Sequence, residues 1–295
     1  MGTQAFTTRE ITREIGCEIT GLDVRRLDEP SVLAQVKDLI GKHHMLVFKD
    51  QALSAAELVA FTERFGEPDS HIIKQYTHRD NDKVYVISNV EERLANVNDV
   101  SLNWHTDLAY KQHPSAFVVL FAERVPEDGA DTCFASMQRV YKEMTEAEKA
   151  RLRGRLAHYS YVQLHQKRTR IEPKTTPLTP QQLADNPDVH HPVLRRHPDT
   201  GEEILYINLP DCVGIGGLPD EEALGIVRSL FDRITDKEHV HRHKWSVGDL
   251  VIWDNRTLLH SASWFDAERY QRRMLRTCVK GEQPMSSAPL RAAAE

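Results

Sequence analysis

Short apolar runs separated by turn residues recur along the chain. Met45 to Phe48, Val84 to Ser88, Phe117 to Phe121, Ile204 to Asn208 and Leu250 to Trp253 are rich in β-branched, aromatic and other apolar residues, and Gly, Pro, Asp or Asn punctuates most of the intervals. Runs of this length and flanking predict strands. Helical periodicity is confined to a few places. Ser54-Ala-Ala-Glu57 is a capping box that leads into apolar Leu58, Phe61 and Phe65. Asp220 to Thr235 sets Leu224, Val227, Phe231 and Ile234 on one face, and Met137 to Arg153 predicts a third helix with its charges toward solvent. Strands dominate the middle and end while helices flank them, so the pattern predicts a mainly β fold with helices packed outside, a sandwich or jelly roll rather than βαβ units. No internal repeat is visible. The polar, Pro-rich stretch at about 165–187 reads as a long loop, and such loops in compact domains are often lids.

Length and composition narrow the class. A chain of 295 residues with 40% hydrophobic and 28% charged residues can bury one sizeable core, and a single domain over 1–295 is expected. A formal charge of −6 argues against a nucleic-acid-binding surface. Cys17, Cys133, Cys212 and Cys278 form no C-x-x-C pair, which removes zinc-ribbon and thioredoxin-like readings and fits a reducing cytoplasm. The opening residues lack an apolar signal region, Phe6 stands where myristoylation wants Ser or Thr, and no apolar run reaches the roughly 18 residues of a membrane span, so neither targeting nor membrane contact is expected.

Candidate chemistry begins with the 15 histidines. An iron(II) oxygenase needs two imidazoles and a carboxylate on one face of the metal, with the other positions open. His-x-Asp on a strand supplies two ligands, because residues i and i+2 point to one side. Three such pairs occur: His78-Arg-Asp80, His105-Thr-Asp107 and His197-Pro-Asp199. About one is expected by chance in so His- and Asp-rich a chain. His78 lies in a polar loop and His197 begins a turn signature, so both read as structural or surface features. His105 keeps the company of Leu102, Trp104, Leu108 and Tyr110, as in a half-buried strand. A third ligand must come from elsewhere, and His260 follows the apolar run Leu250 to Trp253 and a turn. Arg272, Arg273 and Arg276 come next, in a strand-like segment where a planar guanidinium could take a carboxylate bidentately.

Three other features have plainer readings. His239-Val-His241-Arg-His243 resembles a metal strip but lacks a carboxylate, Gly214-Ile-Gly-Gly217 lacks a phosphate loop's context, and Arg168, Arg170 and Lys174 read as a solvated loop, with attraction of an anionic substrate as the alternative.

Taken together, ITGLDV, LSAAELVAFTERFGEP, NWHTD, GADTCFASM, HPVLRRHPDTGEEILYIN, WSVGDLVIWDNRTLLH and QRRMLRTCVKGEQP resemble the TauD/TfdA family of 2-oxoglutarate dioxygenases over nearly the whole chain. AHYSYVQ and the WDN stretch look more like its aryloxyalkanoate branch than its taurine branch. The resemblance implies a double-stranded β-helix, or jelly roll, that uses Fe(II), 2-oxoglutarate and O2. It implies His105, Asp107 and His260 as metal ligands, Thr132 and Arg272 as holders of 2-oxoglutarate, and Arg276 near the metal-proximal anion or substrate acid. One inserted residue between His260 and Arg272 makes Arg273 a rival. His71 matches an anion-binding histidine, and Ser101 stands where the taurine branch has an amine-contacting asparagine, which argues against taurine. The implied substrate is a small organic anion; hydroxylation beside an ether oxygen would cleave an aryloxyalkanoate through a hemiacetal. The same scaffold could instead hydroxylate or desaturate a natural-product intermediate or oxidise a sulfonate. Outside oxygenases, a zinc hydrolase or a metal-binding jelly roll without oxygenase activity could use the same ligands, though neither needs Arg272 with Thr132. The subunit count stays open, a homo-oligomer included.

Overall fold

The computed structural model describes residues 6–70, 76–90, 103–171 and 177–291. In chain order the strands are β1 Thr7–Glu10, β2 Cys17–Thr20, β3 Met45–Phe48, β4 Thr77–His78, β5 Asn81–Ser88, β6 Ser115–Arg124, β7 Thr132–Ser136 and β8 Leu156–Tyr159. They continue with β9 Val189–Pro192, β10 Leu194–Arg196, β11 Glu203–Leu205, β12 Cys212–Ile215, β13 His241–His243, β14 Leu250–Asp254, β15 Leu258–Ala262, β16 Arg273–Lys280 and β17 Met285–Ser286. Eight form one sheet in the order β1-β2-β3-β14-β6-β16-β5-β4, antiparallel except where β2 meets β3. The others form three-stranded sheets, of which β13-β7-β15 carries part of the site.

The apolar strand runs are continuous because the large sheet is covered on both faces. Leu46 and Phe48, Phe117, Val119 and Phe121, and Leu250 and Ile252 pack outward among residues of α1 (Pro30–His43) and α2 (Ala55–Glu63). Their alternates Met45, Val47, Val118, Leu120, Val251 and Trp253 face inward and meet Phe134 of β7 and Leu258 of β15. Two sheets therefore enclose one core, and a second core packs behind β7 and β15, where Ala135 and Leu259 meet the later helices.

The Ser54 and Glu57 capping box forms as the sequence predicts, with both reciprocal bonds present. The predicted Met137 to Arg153 helix is instead two, α3 (Met137–Glu143) and α4 (Glu146–Leu152). Thr145 opens α4 with a second capping box to Glu148, which restarts the helix there. Nor are its charges all on the solvent side, since Arg139 is buried against Glu143 and the Arg233 carbonyl. The proposed 165–187 loop is partly helical, because α5 (Tyr161–Ile171) and α6 (Pro180–Asp185) occupy both its ends, and residues 172–176 lie outside the described residues. Helix α7 (Asp220–Ile234) buries Ala223, Val227, Leu230 and Ile234, with Leu224 and Phe231 at the margin. Gly214 belongs to β12, and Gly217, at φ 73°, makes the turn that follows. All four cysteines are buried and unbridged.

Candidate metal centre

His105, Asp107 and His260 converge, each offering a ligand atom within 4.8 Å of the other two. The means differ from a continuous His-x-Asp strand. His105 forms an isolated bridge in which its backbone exchanges two hydrogen bonds with that of His260, at 2.9 and 2.8 Å. Paired residues of this kind put their side chains on one face, and the rings lie 4.3 Å apart between centroids. His260 sits in the middle of β15 rather than at the end of the preceding strand, opposite Phe134 of β7.

Asp107 follows in a turn. Leu108 has φ 58°, a left-handed conformation that a branched side chain adopts only under constraint. The constraint is visible on both sides. The Asn255 side-chain amide accepts the Asp107 N–H at 3.0 Å and donates to the Asp107 carbonyl at 2.9 Å. Asn208 accepts the Thr106 N–H at 3.0 Å. Buried His191 directs Nε2 at the Ala109 and Lys111 carbonyls, 3.0 and 2.9 Å away, and clamps the turn from the far side. None of these three polar residues stood out in the sequence, where Asn255 reads as a turn residue after Trp253-Asp254 and Asn208 as the end of a strand.

Electrostatics favour a cation among the three. The His105 Nδ1 lies 2.7 Å from the Asn103 carbonyl, which fixes the proton on that nitrogen and leaves Nε2 as the basic one, 3.7 Å from Asp107 Oδ1. Burial, with His105 beside it, pushes His260 down to about 3, so it is a neutral imidazole with a lone pair to give. Burial opposes the charge on Arg276, but Asp107 outweighs it and keeps the guanidinium charged. Its Nη1 stands 3.2 and 3.4 Å from the two Asp107 oxygens, and its Nε has no hydrogen-bond partner.

Arg272 is buried with its Nε unpartnered, and burial lowers its pKa to about 10. Its backbone N–H is held at 2.7 Å by Asn89, whose amide also straps the Ala267 and Tyr270 carbonyls. A buried cation without an anion is costly, and Arg272 meets none among the described residues, so this guanidinium fits a carboxylate that arrives from outside. Arg273 pairs with Glu123 instead. Thr132, buried on β7, accepts a hydrogen bond from the Trp245 indole. Two imidazoles and a carboxylate suit a divalent iron, and the buried Arg272 guanidinium, its Nε without an acceptor among the described residues, suits a dicarboxylate co-substrate. His71 and Ser101 lie outside the described residues.

The model of the "Taurine catabolism dioxygenase TauD, TfdA family" matches residues 7–278. The chain belongs to the TauD/TfdA dioxygenase family. It is 30% identical over 262 residues to a Burkholderia sp. (strain RASC) alpha-ketoglutarate-dependent 2,4-dichlorophenoxyacetate dioxygenase, covering 84% of this chain and 86% of that one. It is 28% identical over 288 residues to the (S)-phenoxypropionate/alpha-ketoglutarate-dioxygenase of Sphingobium herbicidovorans, covering 96% and 98%. Among solved structures it resembles AAD-2 in complex with Mn(II) and N-oxalylglycine, at TM-score 0.78 and 25% identity over 96% of this chain and all of that one.

A second cluster in this TauD/TfdA chain, His197, Asp199 and Asp254, has equally close ligand atoms. His197 is buried rather than superficial, and its Nε2 meets Asp254 Oδ2 at 2.8 Å. Arg256 already fills this cluster, bonded to Asp254 at 2.8 and 2.7 Å and to Asp199 at 2.6 Å. The histidine strip is likewise structural: His241 and His243 pair with β7, and His243 faces Asp249. His78 lies in the short β4 strand rather than a loop, and its Nδ1 accepts the Asp80 N–H at 3.3 Å; it belongs to neither cluster among the described residues. Among the described residues no helix is long and apolar enough to cross a membrane.

Proposed function

We propose that the protein is an Fe(II)- and 2-oxoglutarate-dependent dioxygenase that oxidises a small aryloxyalkanoate-type acid. The single observation that carries the reading is the pairing of a two-His, one-carboxylate cluster with a buried Arg272 that meets no anion among the described residues. The two packed sheets are read as a double-stranded β-helix with the metal between them. Iron(II) with dioxygen supplies the oxidising power when bound.

The chain's residues do the rest by position and charge. His105, Asp107 and His260 would hold the metal on one face and leave its other positions open. Arg272 and Thr132 would hold the distal carboxylate of 2-oxoglutarate, and Arg276 would steady Asp107 while offering Nε to a nearby anion. One oxygen atom enters the substrate C–H bond and the other enters succinate, as 2-oxoglutarate loses carbon dioxide. Hydroxylation beside an ether oxygen gives a hemiacetal, which breaks into a phenol and an oxo acid.

A substrate acid in so buried a site must meet a cation, since an unpaired carboxylate there costs several kcal/mol. Arg276 is the charged candidate inside, and His71 is a second from the sequence. The test compares succinate release with phenoxyacetate-type free acids and their amides at saturating 2-oxoglutarate. Turnover of the acid should far exceed that of the amide. Equal rates would remove the anionic-substrate part of the reading, and absence of succinate with every acid would remove the activity itself.

A further inference from the structure

Thr132 shares its face of β7 with Phe134, two residues on. Phe134 points between the sheets, with its ring 5.3 Å from Trp253 and 6.5 Å from His260. The Thr132 hydroxyl oxygen therefore looks into the same interior as the metal ligands, and there it accepts the Trp245 indole N–H at 3.0 Å. An indole nitrogen can only donate. That bond uses a lone pair of Oγ1 and turns the hydroxyl proton toward another acceptor. A lone threonine could rotate and present a lone pair to an incoming anion, whereas this one is committed as a donor, the polarity a carboxylate requires.

Trp245 is itself fixed from behind. The His243 ring meets it edge-on, with centroids 4.6 Å apart at 90°. His243 Nε2 lies 3.3 Å from Asp249, which Lys49 holds at 2.5 Å and the Ser246 N–H at 2.9 Å. Burial opposes the charge on Asp249, but these three partners outweigh it and keep the carboxyl below its usual range. A line of side chains thus runs from half-buried Lys49 to the Thr132 hydroxyl. This assigns the odd composition of the 241–249 segment to a support for one hydroxyl.

We propose that Trp245 is a positioning residue for 2-oxoglutarate, orienting the Thr132 hydroxyl as a donor to its distal carboxylate beside Arg272. The proposal rests on the 2-oxoglutarate reading above. It is tested by calorimetric titration of the zinc-loaded protein with 2-oxoglutarate, in which no turnover occurs. Trp245→Phe keeps the aromatic bulk and removes the N–H, and should raise Kd about tenfold, the scale of one hydrogen bond in a charged network. Thr132→Val should raise Kd at least as much, Thr132→Ser should stay near wild type, and the double variant Trp245→Phe/Thr132→Val should equal Thr132→Val alone. In the iron enzyme, KM for 2-oxoglutarate should rise with kcat little changed. If Trp245→Phe does not fold, benzothienylalanine at position 245, which replaces the N–H by sulfur, carries the same expectation. Wild-type Kd in Trp245→Phe, or additive losses in the double variant, would overturn the proposal and leave the co-substrate reading intact. Failure of the wild-type zinc protein to bind 2-oxoglutarate would overturn both.

Discussion

Two clusters in this protein hold one histidine and a pair of further candidate ligands within 4.8 Å of one another, yet they differ in how tightly their carboxylates are engaged. Around Asp254, His197 and the Arg256 fork satisfy the carboxylate, and Arg256 extends to Asp199. Around Asp107 the contacts with His105 and Arg276 are longer, at 3.7 Å and 3.2 Å, and His260 keeps a ring nitrogen with no hydrogen-bond partner. Close donors do not make a metal site by themselves. What distinguishes the second arrangement is a His260 ring nitrogen without a hydrogen-bond partner, next to the Arg272 guanidinium, whose Nε meets no acceptor among the described residues.

The sharpest way to break the comparison is to remove ligands from each cluster. His105→Ala, Asp107→Ala and His260→Ala should each abolish turnover and strip iron, because two remaining ligands underhold the metal. His78→Ala and His197→Ala should retain iron, the latter with a lower melting temperature. Metal analysis of the purified variants checks this.

Next in size is the closed cluster's contribution to folding. Asp254→Ala leaves the Arg256 guanidinium buried without its principal partner, and breaking such a pair typically costs about 3 to 5 kcal/mol. Urea denaturation should show that loss while the variant, where folded, still binds iron. A loss below about 1 kcal/mol would contradict the view of this cluster as a structural lock.

In the open cluster, Arg272→Ala should raise the 2-oxoglutarate requirement by about 2 to 5 kcal/mol, the usual cost of removing one member of a buried charge pair. Arg273→Ala should change it little, since Arg273 meets Glu123. Steady-state titration of 2-oxoglutarate separates the two arginines.

The smallest expected effect is on pH stability. Burial depresses His191 to about 4, and the neutral ring clamps the Asp107 turn. The unfolded histidine titrates near 6.5, so between those values the unfolded chain binds a proton that the folded chain does not. His191 thus contributes stability that is present above about pH 6.5 and lost as pH falls toward 4, on the order of 2 to 3 kcal/mol. Asp254 is held low because Arg256 and His197 outweigh its burial, and its contribution is lost at still lower pH. Thermal melts of metal-free protein from pH 8 to 4 should fall in that window, and His191→Leu should flatten it.

The sequence carried most of the strand runs and the Ser54 capping box, because apolar runs and capping residues are local properties, although the predicted strand Ile204 to Asn208 stops at Leu205; the candidate ligands were legible as residue types. It misread what depends on distant partners. Asp107 sits in a turn because Asn255, Asn208 and His191, each about 85 to 150 residues away in the chain, bind that backbone. His197 read as structural or superficial because Pro198 and Asp199 form a turn, and only its ring's reach inward to Asp254 decides for the structural alternative. Arg272 and Arg273 are adjacent in sequence and became distinct only when Glu123 and the Asn89 strap were seen around them.

Anaerobic iron(II) titration of wild type, His105→Ala and His197→Ala, each verified as folded by circular dichroism, tests the central claim most directly. The account predicts one tightly bound iron per wild-type chain, one in His197→Ala and none in His105→Ala. Iron retained by His105→Ala and lost from His197→Ala would contradict it.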